Sequence, residues 1–296
     1  MTKKFRVSYL GMLGSYSYQA AHQLFPDAEY LGFRSFDEVV SHVENEDCDR
    51  AVIPVENSIG GRIPDVHNLL LTTNLNVRSE YMLEIRHCFA TSSFKPDEAP
   101  MGKIKKIYSH PQGFIQCSKF LMQSYPDAEQ IDASDMATAA RILSESKSKD
   151  AAAITSLDAA RFYKCAVFRE NISDLSNNYT RFLTLSREPS NTQTSKDTSY
   201  ITTIIFQVEH KPGSLRAALG AFEDNDINLV KLETYNLSEK TVRPTFYIDV
   251  GAPLNSPKMS AALADLQEKV TYIKLLGTYP ASPVRSTVSG YLPVTN

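Results

Sequence analysis

The chain has no tryptophan, and its 4 cysteines are scattered through 296 residues. Cys48, Cys88, Cys117 and Cys165 form no C-x-x-C pair and no zinc-like spacing, so they read as reduced, buried thiols. The 6 histidines are equally dispersed, which gives no grounds for a metal site. No apolar run approaches the roughly 20 residues of a membrane-spanning helix. The start, "MTKKFRVSYLG", passes from lysines straight into a strand pattern without an apolar leader core, so a cytoplasmic protein is expected. A net charge of −3 supplies no electrostatic footprint for nucleic acid. What is present is ordinary globular material, 42% hydrophobic and 22% charged, enough for two or three compact units.

From Arg6 to about Arg187 strand-like runs alternate with helical patterns. "FRVSYLG" reads as a strand and "SYSYQAAHQLF" as a helix capped by Ser15. "SFDEVVSHVEN" is helical with Val39, Val40 and Val43 on one face. "CDRAVIPVENS" is a buried strand, and "GGRIPDVHNLLLTT" then turns helical. "KIKKIYSH" is a strand and "PQGFIQCSKFLMQSY" one helix, with Phe114, Cys117, Phe120 and Leu121 aligned. "ASDMATAARILSES" is helical, "KDAAAITS" a strand and "LDAARFYK" a helix. Repeated strand–helix units predict a largely parallel sheet covered on both faces. The polar stretch over 188–199 reads as a linker. Beyond it, strand, helix, two strands, helix and strand follow in about 80 residues, the ferredoxin-like βαββαβ order. The tail over 281–296 has little periodicity and is expected to be mobile.

Strand ends carry the chemistry. "GMLGSYS" puts Ser15 at a helix N-terminus, where backbone N–H groups and a hydroxyl can hold an anion or simply close a tight turn. "IPVENSIGGR" ends a buried strand in Asn57 and Ser58, an amide and a hydroxyl, which serve equally as ligand contacts or as an Asx-turn. "YSHPQGFIQC" ends a strand at Ser109, begins a helix at Pro111 and places Gln116 soon after; His110 there reads as structural rather than as a base. In "SNNYTRFLTL" a turn becomes a strand at Thr180 and Arg181, a hydroxyl beside a fixed cation. Ligands of open α/β sheets bind beyond strand carboxyl ends, so Ser15, Asn57, Ser58, Ser109, Thr180 and Arg181 outline a pocket rich in neutral donors for a small anion.

These segments, with "AAAITSLDAA", stand in the order and spacing of the bacterial prephenate dehydratases that carry a C-terminal ACT regulatory domain, and the chain resembles that family from about Val7 to Tyr279. The resemblance implies an α/β fold: a two-lobed catalytic domain over 5–187, like a type II periplasmic binding protein, then a ferredoxin-like ACT domain over 200–280. It implies decarboxylating dehydration of prephenate to phenylpyruvate for phenylalanine synthesis, without metal or cofactor, in a cytoplasmic homodimer or homotetramer. The catalytic threonine of the family falls on Thr180, and its substrate-contacting residues on Asn57, Ser109 and Gln116. Ser58, Arg181 and Ser15 are added as substrate contacts from their positions. Arg181 is expected to pair with a substrate carboxylate, to orient the Thr180 loop, or to be a plain strand charge. The family's phenylalanine-binding segments correspond to Gly213, Ser214 and Leu215 and to Glu233 and Thr234. Departures there ("GSLR", and "ETYN" from Glu233 to Asn236) make feedback inhibition less secure than catalysis. Rival readings are an arogenate dehydratase, a non-catalytic small-anion-binding protein, and an amino-acid-sensing regulator.

Overall fold

A computed structural model describes residues 4–92, 102–189, 195, 197–235, 243–288 and 290–294. Helix Phe36–Glu44 shows how its elements arise: Val39, Val40 and Val43, three and four apart, fall on one face and are buried. Each such valine withdrawn from water stabilises the fold by about 1.5–3 kcal/mol. The chain divides into two compact units, Met1–Ser35 with Leu83–Thr180, and Phe36–Met82 with Arg181–Asn296.

In the first unit, strand Arg6–Leu10 pairs in parallel with Glu29–Phe33 across helix Tyr16–Leu24. A second sheet runs Ala166–Arg169, His87–Thr91, Ala151–Ser156, Lys106–Ser109, Glu129–Asp132. Its last three strands are parallel, but His87–Thr91 is antiparallel to both neighbours. The expected parallel sheet is thus mixed. The single helix expected from Pro111 is two, Pro111–Gln116 and Ser118–Ser124, interrupted at Cys117 with φ −120° and ψ 21°. Phe114, Cys117, Phe120 and Leu121 nevertheless enter one core with Phe89, Ile107 and Ile154. Burial pushes the Cys88 and Cys117 thiols up to about 12, so both stay protonated and inert at neutral pH.

In the second unit, strand Tyr179–Ser186, which begins in the first, runs between Arg50–Asn57 and Asn76–Glu84. The βαββαβ order is present: Tyr200–Gln207, helix Ser214–Glu223, Leu229–Tyr235, Thr245–Val250, helix Pro257–Lys269, Tyr272–Pro280. These strands form one antiparallel sheet with Tyr200–Gln207 between Thr245–Val250 and Tyr272–Pro280. Ile204, Phe206 and Ile248 pack under the two helices with Ala218, Phe222, Ala262 and Leu266. The alternate residues Thr203, Asp249 and Tyr279 are buried too; Asp249 and Tyr279 meet Arg181, as described below, and the Thr203 hydroxyl lies within hydrogen-bond reach of both. Much of the 188–199 segment lies outside the described residues. Part of the tail is among the described residues. Its 3₁₀ turn Pro283–Ser286 buries Arg285, which bonds Glu80 through Nε at 3.2 Å and Nη2 at 3.2 Å.

Candidate active site

The turn before Thr180 depends on Asn177, held at φ 68°, a left-handed conformation that asparagine tolerates better than most residues. The chain then places Asn178 in the interior, where its carbonyl accepts from the Ile85 N–H at 2.7 Å and its Nδ2 donates to Gln116 Oε1 at 3.1 Å. Two residues on, Thr180 is 9% exposed, at the start of the strand. Gln116 ends a short helix with Pro111 in its first turn, capped by His110 Nδ1 accepting from the Gln112 N–H at 3.2 Å. The Gln116 carbonyl accepts from the Asp174 N–H at 2.7 Å, while the Asp174 carboxylate caps the following helix through Ser118 and Lys119.

Gln116 Oε1 has a second neighbour, Nε2 of buried His87, at 2.7 Å. The other imidazole nitrogen, Nδ1, lies 2.9 Å from the Tyr16 hydroxyl, which is also 2.8 Å from the Arg86 carbonyl. Burial lowers the His87 pKa against a smaller opposing effect of the Gln116 bond, and raises that of Tyr16 well above its ordinary value. Both are neutral at pH 7. One polar chain therefore joins Tyr16, His87, Gln116 and Asn178, and through the turn it reaches Thr180.

The other residues of this unit are placed less openly. Ser15 caps its helix, accepting from the Tyr18 N–H at 3.2 Å and lying 3.4 Å from the Leu10 carbonyl, so its hydroxyl serves the turn rather than a substrate. Gly14, at φ +85°, packs on the helix Leu157–Phe162: a Cβ there would sit 2.8 Å from Ala159 Cα. Ser156 caps that helix and donates to the Gly14 carbonyl at 3.0 Å, which accounts for two of the quoted motifs as one backbone-to-backbone contact. Ser109 is fully buried, with Oγ 3.5 Å from Met136 Sδ. Any side chain at Gly113 would run into that Oγ and the Met136 methyl. The hydroxyl is held inside rather than presented.

In the second unit, Asn57 Oδ1 accepts from the Ile59 and Gly60 N–H groups at 3.0 and 2.7 Å, the Asx-turn that was the alternative to a ligand contact, and half-buried Ser58 lies within it. Arg181 corrects the expectation most. It is 0% exposed, neither a substrate ligand nor a surface charge. Its Nε bonds Glu80 at 2.7 Å, Nη1 bonds Glu56 at 3.1 Å and Asp249 at 2.6 Å, and Nη2 bonds the Tyr279 hydroxyl at 2.9 Å. Glu56 also pairs with Lys231, and Asp249 Oδ1 accepts from Thr203 at 2.6 Å. Burial pushes the Glu80 and Asp249 carboxyls up, but Arg181 and Arg285 outweigh it and hold both below the ordinary range.

Of the residues assigned to regulation, Gly213 caps helix Ser214–Glu223, Leu215 packs against the core and Arg216 is exposed. Glu233 pairs with Lys231 at 3.2 Å, and the Thr234 carbonyl accepts from Arg62 at 2.8 Å. Tyr235 is buried against His67 and Tyr247, with ring centroids 5.0 and 6.3 Å away. Asn236 lies outside the described residues. Sequence reasoning missed Tyr16, His87 and Asn178. Asn178 stood inside a quoted motif, while the strand His87–Thr91 that carries His87 went unassigned.

Asn178 and Gln116, carboxamides joined to each other within an α/β unit, are groups of a kind that can contact a small polar molecule. The chain belongs to the prephenate dehydratase family: the model of that family, prephenate dehydratase, matches residues 7–190. It is 36% identical to arogenate dehydratase 2 of Petunia hybrida over 293 residues, covering 94% of this chain and 72% of that protein. It is 33% identical to a bifunctional chorismate mutase/prephenate dehydratase of Buchnera aphidicola, covering 94% and 71%. Plant and bacterial proteins thus both appear among its relatives. Among solved structures it resembles GqqA, described as a novel type of quorum quenching acylase, with TM-score 0.83, 29% identity and coverage of 95% and 99%. The prephenate dehydratase of Arthrobacter aurescens in complex with L-Phe has the same fold, with TM-score 0.84 at 23% identity and coverage of 96% and 94%.

Proposed function

We propose that the protein converts prephenate to phenylpyruvate, water and CO₂, with Thr180 as the group that assists departure of the ring hydroxyl. Membership of the family carries this reading, and the carboxamide of buried Asn178, two residues before Thr180 in the chain and bonded to that of half-buried Gln116, supports it. In the reaction the C–C bond to the ring carboxylate breaks and its electron pair enters the ring as the C–O bond breaks opposite. Oxygen leaves with the C–O pair and takes a proton to become water. The step is redox-neutral and is driven by the aromatic ring it forms. A threonine hydroxyl is too weak an acid to deliver its proton unaided, so its contribution is a hydrogen bond that strengthens as charge grows on the leaving oxygen. The Gln116 Nε2 donors, which have no partner among the described residues, suit a substrate oxygen.

The relatives named arogenate dehydratase favour a second substrate, in which an ammonium group replaces the side-chain keto oxygen. Purified protein offered each substrate separately should release CO₂ from prephenate at the higher kcat/KM. A preference for arogenate would reassign the substrate, and saturable binding without turnover of either would make this a binding protein.

We further propose a cytoplasmic homodimer or homotetramer in which 200–280 is an ACT regulatory domain that takes phenylalanine near Gly213, Ser214, Leu215, Glu233 and Thr234. The ties of Glu233 and Thr234 within their own unit, and the buried Tyr235, favour binding with weakened inhibition. Calorimetry and activity on one sample across a phenylalanine titration should give saturable heat with only partial loss of rate. Strong cooperative inhibition, or no heat, would refute this.

A further inference from the structure

Gln116 can face a ligand in two ways, and its neighbours choose between them. A carboxamide has a donor end and an acceptor end, and which end is spent inside the protein decides which is shown outside. Here Oε1 is within hydrogen-bond reach of two groups, Asn178 Nδ2 at 3.1 Å and His87 Nε2 at 2.7 Å. Asn178 Nδ2 can only donate. A neutral imidazole donates through one nitrogen and accepts through the other, so His87 supports this arrangement only when its proton is on Nε2. Nδ1 must then accept, and the group beside it is the Tyr16 hydroxyl at 2.9 Å. That hydroxyl has a single proton and two acceptors in reach, His87 Nδ1 and the Arg86 carbonyl at 2.8 Å. If Tyr16 donated to Arg86 instead, Nδ1 would carry the proton and bond the tyrosine oxygen. Nε2 would then need a donor, and the Gln116 amide would have to turn its NH₂ inward and its oxygen outward.

We propose that His87 is a positioning residue for the proposed dehydratase reaction: with Tyr16 as donor to Nδ1 and Nε2–H bound to Gln116 Oε1, it holds the amide so that its NH₂ faces the ligand. That amide then offers donors to a carboxylate or keto oxygen and no acceptor to an ammonium group. This rests on the reading of Gln116 as a substrate contact. The backbone of His87 is held in its strand, where its carbonyl also accepts from the Ile172 N–H at 3.1 Å. Burial of the ring keeps it neutral, which makes the tautomer a real choice.

Two measurements test it. Long-range ¹H–¹⁵N spectra of the intact wild-type protein should show His87 neutral and protonated at Nε2; protonation at Nδ1 would overturn the proposal whatever the enzyme turns over. The second is a cycle of His87→Phe and Gln116→Ala read as kcat/KM on the better substrate. His87→Phe alone should lower kcat/KM about tenfold, but change it less than twofold once Gln116 is alanine, because His87 acts only through that amide. His87→Gln, which restores an N–H near the Nε2 position, should recover most of the loss. Equal losses in both backgrounds would make His87 merely structural and refute the positioning role. If Gln116→Ala itself has no effect while wild type is active, the assignment of Gln116 fails rather than that of the tautomer.

Discussion

Thr180→Ala is expected to lower kcat about 10²- to 10³-fold, the usual cost of losing one transition-state hydrogen-bond donor, while leaving substrate affinity within about tenfold. The hydroxyl is assigned to the leaving oxygen, where charge appears only as the C–O bond breaks. Ground-state binding is left to the carboxamide and to contacts elsewhere in the site. Thr180→Ser should retain partial activity, because the hydroxyl survives but loses the restriction on χ1 that a β-branched side chain imposes. Single-turnover rates of CO₂ release, paired with calorimetric Kd values for the inactive variant, separate the two quantities. An alanine variant with near-normal kcat would remove Thr180 from the chemistry.

Arg181→Met should be the most destabilising substitution among the residues discussed, by about 3–5 kcal/mol, because it removes the cation from a buried set of anions. Glu80 and Asp249 are fully buried and Glu56 nearly so, and Lys231 and Arg285 alone would be left to offset them. Arg181→Lys should recover little, since one ammonium cannot reproduce bonds made from Nε, Nη1 and Nη2 in different directions. The network also sets a pH dependence. Glu80 and Asp249 have folded pKa values below their unfolded ones, so they contribute stability that is present above the unfolded values, about 4, and is lost as pH falls through the folded values. Without Arg181, burial dominates and raises both carboxyls, which moves the loss of stability to higher pH. Urea midpoints for both proteins between pH 3 and 8 would show it. Parallel curves for the two would mean that these carboxylates do not depend on Arg181.

The helical elements were legible because their signals are local: Val39, Val40 and Val43 at helical spacing, Ser15 at a cap, Pro111 in a first turn. His87–Thr91 was not. Its five residues are all buried, so it lacks the alternation that marks a half-exposed strand, and its antiparallel pairing could not be inferred from neighbouring strand–helix units. With that strand went His87. Thr180 and Gln116 were nominated through a motif resemblance, but the groups within hydrogen-bond reach of Gln116 Oε1 lie 29 and 62 positions away. Arg181 was misread for the same reason. Its partners Asp249, Glu80 and Glu56 are 68, 101 and 125 positions distant, and a cation next to a hydroxyl read as catalytic invites a ligand partner when none of them is in view.

The polar stretch over 188–199 looks like a place to cut, as though catalysis and regulation were separable modules. The burial of Arg181 argues otherwise. Two of its partners, Glu80 and Glu56, precede that stretch and two, Asp249 and Tyr279, follow it, with Nη1 shared between Glu56 and Asp249. A chain ended near residue 190 would lose two of those four partners together with Arg285, and strand Tyr179–Ser186 would carry a half-satisfied charge into its own core. The C-terminal sheet is thus a folding requirement of the strand segment that carries Arg181.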